Sequence, residues 1–537
     1  MKYLFLLIAL AAAYSTRSQP SAAPKLVVGI VVDQMRFDYL YKYYSKYRND
    51  GFKRLLREGY NCRNTHYNYA PTYTGPGHAS IYTGTTPSVH GITGNNWFDK
   101  GEGKVVYCSG DETAETIGTT GNAGKMSAKR MMSSTVTDEL KLSNQNSKVI
   151  GIALKDRGGI LPAGHAADAA YWYDENSNKW ISSSYYLKEL PPWVVDFNNL
   201  KKAEQYSNVG WPLYLNQINN YSESGPDSSL FEETNLDGRT TFPHRFTPAK
   251  IKSTPFGNSL TTDFAIECLK KENMGKGNQT DFLAISYSST DYIGHSYGPQ
   301  SVEVQDCYLR LDSSLGALIN FLDSWVGKKN VLIFLTADHA AAQVPRYLKE
   351  SKIPASNFEE KKFKNYLQEI TQRIYGDSLI LSIENQHVVL NEKKIAGLYN
   401  GTADFYELTK AIAERLCPYV LNYPGINRAW SRQQLLYSDL SDPLFEAAKL
   451  GFYNNRSGHI AYSMEPAWIE HGPKGTTHGS AYDYDTHVPL LFYGGRIKKG
   501  ELYKLVSITD IAPTVSQLLN ISNPNACTGK PIQEVLK

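Results

Sequence analysis

The chain has 537 residues, 41% of them hydrophobic and 20% charged, the composition of an ordinary globular protein and not of a disordered one. With 56 basic and 53 acidic residues its net charge is +3, too near balance for a nucleic-acid or anionic-membrane footprint. The length suits a large α/β enzyme with insertions, and six cysteines in so long a chain do not make a disulfide scaffold.

The first segment, MKYLFLLIALAAAY, places Lys2 before an apolar run that is too short to span a bilayer, which needs about 20 such residues. It reads as a secretory signal peptide over residues 1–20, so the mature chain is expected to be secreted or periplasmic. The first cysteine is Cys62, which leaves no cysteine for a lipid anchor near the cleavage site. Residues 24–537 are read as one domain, monomeric and without a membrane anchor. Short apolar runs at 25–33, 148–154, 281–287, 330–338 and 487–494 predict strands buried on both faces. Helix-length segments separate them, including 301–326, and the Leu-rich 507–521 follows the last. The expected fold is therefore α/β: a central, mostly parallel sheet flanked by helices. Two stretches, about 175–255 and 345–455, break the alternation and are read as insertions decorating that core. The six cysteines are assigned structural roles, with their pairing open.

Acidic and histidine residues collect where the strands end. Asp33 closes the first, Asp291 and His295 follow the third in STDYIGH, Asp338 and His339 close the fourth in TADH, and His478 lies in TTHGS before the last. Ligands of open α/β sheets bind beyond the carboxyl ends of the strands, so these side chains should converge on one crevice. Taken singly, an aspartate at a strand end is more often a cap or turn residue. Together, three aspartates and three histidines supply two three-ligand sets without thiolates, which suits catalytic zinc with open positions for substrate and water.

The nucleophile candidate is Thr74 in APTYTGPGHASIYTG, where Pro76 can sit in the first turn of a helix. That puts the hydroxyl at a helix N-terminus, where negative charge is favoured, and a nearby metal can activate it without a histidine base. The plain alternative is that Thr74 is an N-cap. Asn95, in HGITGNNW, and Lys155 and Arg157, in ALKDRGG, are candidates to bind an anionic substrate, with Arg157 as a fork and Lys155 as a point charge.

These motifs resemble the alkaline phosphatase superfamily from Lys25 to the C-terminus, and within it the nucleotide pyrophosphatase/phosphodiesterase branch, whose nucleophile is also threonine. The Lys-Asp-Arg set makes the chain look most similar to phosphate-irrepressible alkaline phosphatases of the PafA type. The resemblance implies that Asp33, Asp338 and His339 hold one zinc, also bound to the Thr74 oxygen, and that Asp291, His295 and His478 hold a second. It implies phosphoryl contacts from Asn95, Lys155 and Arg157, a phosphothreonine intermediate, and structural roles for His78, His165 and His487. Two fixed cations favour a monoester dianion, so the expected substrates are small phosphate monoesters, with weaker diesterase activity. A phosphodiesterase on the same fold is the rival, and a non-catalytic metal-binding surface protein the alternative of another class. A sulfatase lacks support, because the C/S-x-P-x-R motif is missing around Thr74.

Overall fold

The computed structural model describes residues 23–398 and 404–536, so the expected signal peptide lies outside the described residues. Five strands form the centre of the fold: β1 (Leu26–Val32), β2 (Val149–Ala153), β3 (Asp281–Tyr287), β4 (Val331–Thr336) and β5 (Leu490–Gly494). They are apolar at nearly every position and buried throughout, because helices cover both faces of the sheet. The ten-stranded sheet has β1 near its middle, flanked by β3 and then β2 on one side and by β4 and then β5 on the other. The pairs β1–β3, β1–β4 and β2–β3 are parallel, whereas β5 runs antiparallel to β4.

The four parallel strands therefore deliver their carboxyl ends to one edge of the sheet. Four helices matter for what happens there: α1 (Thr74–Thr83), α2 (Asp156–Ala163), α3 (Ser289–Tyr297) and α4 (Val302–Trp325). Ser301 caps α4 by accepting from the Val304 amide at 3.1 Å, within a residue of where the sequence pattern starts the helix. All of α1 is buried. Gly77 lets it approach the end of β4, since a Cβ there would meet the Asp338 carbonyl oxygen at 2.2 Å.

Two expectations change in detail. The apolar run 487–494 is not one strand, because Pro489 divides it. His487–Val488 pairs with Thr65–His66 in a separate small sheet, and only Leu490–Gly494 joins the main one. The stretch from 175 is not all decoration either. Lys179–Ser183 pairs antiparallel with Ala169–Asp174 in the main sheet, where Trp180 stacks on Phe264 at 4.2 Å. The later insertion builds its own four-stranded antiparallel sheet from Ile380–Glu384, His387–Leu390, Ile426–Ser431 and Ile460–Met464. Phe363, Leu367, Leu416 and Val420 give that sheet a separate hydrophobic core, and its last strand lies beyond residue 455.

The six cysteines are free thiols. Among the described residues no helix is long and apolar enough to cross a membrane.

Candidate active site

Thr74 is the first residue of α1, preceded by Tyr73 as N-cap with extended backbone and no side-chain cap hydrogen bond. Its hydroxyl is therefore not used as a cap. It lies 3.4 Å from His339 Nε2 and 3.5 Å from Arg157 Nη2, both at the outer limit of a hydrogen bond. Thr74 is 1% exposed, and its hydroxyl is loosely held between an imidazole and a guanidinium.

Behind it, the strand ends bring Asp33, Asp338 and His339 together, with one ligand atom of each within 4.8 Å of the others. Asp291, His339 and His478 form a second group of the same tightness. The two expected trios are thus not separate in this structure. The His339 ring stacks on His478 with centroids 3.4 Å apart, so His339 belongs to both groups. His295 stands alongside, its Nε2 at 3.1 Å from Asp291 Oδ1 and its ring 5.2 Å from that of His478.

The donor chemistry fits metal ions. Each of the three histidines turns Nδ1 to a carbonyl oxygen: His339 to Ala340 at 3.0 Å, His295 to Thr476 at 2.7 Å and His478 to Thr72 at 2.7 Å. A carbonyl can only accept, so Nδ1 carries the proton, and in the neutral ring Nε2 presents a lone pair. Burial holds His339 down to about 3, and burial with repulsion from His339 and His295 holds His478 well below the usual imidazole range. These two rings are neutral near pH 7, as ligation requires. Their Nε2 atoms nevertheless face carboxylates: His339 lies 3.6 Å from both Asp33 Oδ1 and Asp338 Oδ2, and His478 lies 3.7 Å from Asp291 Oδ1. Asp33 Oδ1 and Asp338 Oδ2 are fully buried without a hydrogen-bond partner. A cation placed between these lone pairs and the buried carboxylate oxygens would satisfy both.

Lys155 and Arg157 take different places. The Lys155 ammonium bridges the two groups, 2.7 Å from Asp33 Oδ2 and 2.5 Å from Asp291 Oδ2. A buried ammonium takes the nearest carboxylates as counter-charge. Arg157, in the first turn of α2, does reach Thr74. Asn95 Oδ1 accepts from the Gly75 amide at 2.8 Å, which holds Asn95 beside Thr74 and leaves its amide NH₂ available as a donor.

Two residues escaped the sequence reading. Gln34 has its backbone N–H on Asp338 Oδ1 at 3.1 Å and its side-chain amide on Asp291 Oδ1 at 2.8 Å, so it ties both groups together. Its one signal was adjacency to Asp33. Tyr107 bonds both Asp156 and Arg157, and nothing local to its sequence announces this. His78 donates to the Thr74 carbonyl at 2.9 Å and meets Ser286 Oγ with its other nitrogen. His487 lies between Phe37 and His66 in a ring stack, and His165 bonds Asp138.

The second insertion touches the site through one turn. Gln386 donates to the Gly479 carbonyl at 2.8 Å, beside His478, and Asn385 donates to the Asn96 carbonyl at 2.6 Å, beside Asn95.

A family model described as type I phosphodiesterase / nucleotide pyrophosphatase matches residues 27–479. Alkaline phosphatase PafA of Elizabethkingia meningoseptica is 44% identical over 96% of this chain and 94% of its own length. A Myroides odoratus protein named calcium-transporting ATPase is 42% identical over 97% of this chain and 96% of its own. The crystal structure of wild-type alkaline phosphatase PafA superposes with a TM-score of 0.91 at 42% identity, covering 97% of this chain and 100% of that one. The chain belongs to the type I phosphodiesterase / nucleotide pyrophosphatase family, among its alkaline-phosphatase-like members.

Proposed function

We propose that this protein hydrolyses small phosphate monoesters in two steps, with Thr74 as the nucleophile and a phosphothreonine intermediate. The observation that carries the reading is the position of Thr74 Oγ1, between His339 of the ligand groups and the Arg157 guanidinium. Similarity to alkaline phosphatase PafA over nearly the full length supports the substrate class. The ATPase in the Myroides relative's name is compatible with it. The terminal phosphoryl of a nucleoside triphosphate, like a monoester, carries its charge on non-bridging oxygens.

Asp33, Asp338 and His339 would hold one zinc, and Asp291, His295 and His478 a second, with His339 close to both. When bound, such a pair supplies Lewis acidity to the entering and leaving oxygens of an in-line displacement. The chain's own groups do the rest. Thr74, its hydroxyl proton lost to solvent, attacks phosphorus as the ester P–O bond breaks and the leaving oxygen departs as the alcohol, the approach fixed by α1. Arg157 and the free Asn95 amide donate to the non-bridging oxygens, where the charge of a loose transition state is spread. Lys155, with Asp33 and Asp291 engaged as ligands, pairs with the remaining phosphoryl charge. Water then cleaves phosphothreonine from the side the leaving group vacated, freeing Thr74. A diester carries one charge fewer and a second substituent, so diesterase activity is weaker. The same reading takes the protein as an exported monomer, freed of residues 1–20.

Turnover of an aryl phosphate against its methyl and bis-aryl diesters tests the assignment. Faster diester turnover would overturn it in favour of a phosphodiesterase.

A further inference from the structure

A second cavity, of about 200 Å³, opens between the second insertion and the hairpin that leads away from Asn95. The hairpin's strands are Asn96–Asp99 and Lys104–Tyr107, and Lys100 sits in the turn between them. Phe98, Leu381 and Val389 give the cavity apolar walls, and Lys100, Lys393, Glu392 and His459 its polar ones.

The Lys100 ammonium is the unusual feature. Its Nζ is covered from solvent and has no hydrogen-bond partner among the described residues. Glu392 attracts it without a hydrogen bond, because Glu392 Oε1 accepts from His459 Nε2 at 2.9 Å, while His459 Nδ1 accepts from the Leu390 amide at 3.0 Å. Arg432 adds further positive charge from the adjoining chamber, which shares Glu392 and His459. Burial, then repulsion from Arg432, lowers the Lys100 ammonium to about 8, so it is still mostly charged near pH 7. A desolvated ammonium with no hydrogen-bond acceptor, sharing its nearest carboxylate with a histidine and an arginine, gains from an anion that joins it.

We infer that this cavity binds a small organic anion, a compact carboxylate or phosphate head on a short apolar body, with the head on Lys100 and the body against Phe98, Leu381 and Val389. The cation selects the charge and the walls select the body, which is how small-molecule sites combine affinity with orientation. The ligand would wedge between the insertion and the hairpin beside the Asn385–Asn96 hydrogen bond. It would thereby connect the insertion to the segment that carries Asn95. This site is independent of the catalytic reading above, because no ligand of the strand-end groups takes part in it.

Benzoate is the probe, with benzyl alcohol as the uncharged analogue, in equilibrium dialysis against the full chain. One saturable benzoate site is expected, with no matching site for benzyl alcohol. Lys100→Met should weaken benzoate at least tenfold, the cost of one charge-assisted contact, while Lys100→Arg should keep most of the affinity. Leu381→Trp, which fills the cavity and leaves every charge in place, should also abolish binding, with thermal melting confirming that each variant is folded. Arg157→Ala separates this site from the catalytic one and should leave benzoate binding unchanged. Absent saturation, binding that survives both Lys100→Met and Leu381→Trp, or binding lost in Arg157→Ala would overturn the proposal.

Discussion

The Tyr107 phenol lies between the two charges of the Asp156–Arg157 pair, accepting from Arg157 Nη1 at 3.1 Å and donating to Asp156 Oδ1 at 2.5 Å. Burial keeps the phenol protonated far above neutral pH, so this direction of donation is stable. Tyr107 is therefore a positioning residue, aiming the guanidinium whose other nitrogen reaches Thr74. Tyr107→Phe should lower monoester kcat/KM by about tenfold, the size expected for one lost hydrogen bond to a charged group. In an Arg157→Ala background the same change should add little, because both act through one contact. Additive losses would show that Tyr107 acts elsewhere.

Thr74→Ser keeps a hydroxyl at the same atom and should retain measurable activity. Thr74→Ala should lose at least about a thousandfold in kcat, as removal of a covalent nucleophile does. Rapid-quench trapping with a radiolabelled aryl phosphate should label the native chain at Thr74. An Ala variant of near-native activity would place the nucleophile at another residue.

Arg157→Ala and Lys155→Ala should reduce monoester kcat/KM by about a hundredfold or more, and diester turnover by clearly less. The reason is charge: the second negative charge of the monoester is what the two cations match. Equal losses on both substrates would remove the physical basis for the monoester assignment.

Metal analysis of active protein should find about two zinc ions per chain, the number that in-line clamping uses. Chelation should abolish turnover and zinc should restore it, while magnesium, a hard ion that prefers octahedral oxygen donors, should not. Asp291→Asn should lower the zinc content by about one ion. Fully active protein with no bound metal would defeat the assignment of both ligand groups.

Asp138 accepts from the amides of Thr135, His165 and Ala166 and from His165 Nδ1, at 2.7–3.1 Å. Burial opposes its charge, yet these bonds hold its carboxyl below the usual range. Asp138→Asn should cost about 2 kcal/mol of stability, the scale of a disturbed buried charge network. Burial also opposes charge on His165, but the Asp138 bond wins and raises that imidazole. A raised folded-state value means the stabilisation is complete below the ordinary imidazole range, about 6.5, and fades as pH rises through the folded value. The margin in melting temperature between the native chain and His165→Asn should therefore shrink from pH 6 toward pH 8. A margin that does not change with pH would assign the effect to other groups.

The sheet was legible because its strands are continuous apolar runs, and burial on both faces demands that wherever such a strand is placed. Asp33, Asp291, Asp338 and His339 were legible because parallel strands place all their carboxyl ends on one side, so residues far apart in sequence share an edge. Both are consequences of local pattern and need no knowledge of contacts.

Other features are set by approach distances that no local pattern encodes. Gly77 lets α1 close on Asp338. His339 serves both ligand groups because its ring stacks on a histidine brought from 139 residues downstream. Lys155 lies between a carboxylate at the end of β1 and one in α3, a position set by charge balance in the packed interior. By itself the sequence determined which side chains reach the strand ends. The tertiary structure decided which of them share a neighbour, because burial forces each charge and lone pair to find its partner among whatever the fold brings near.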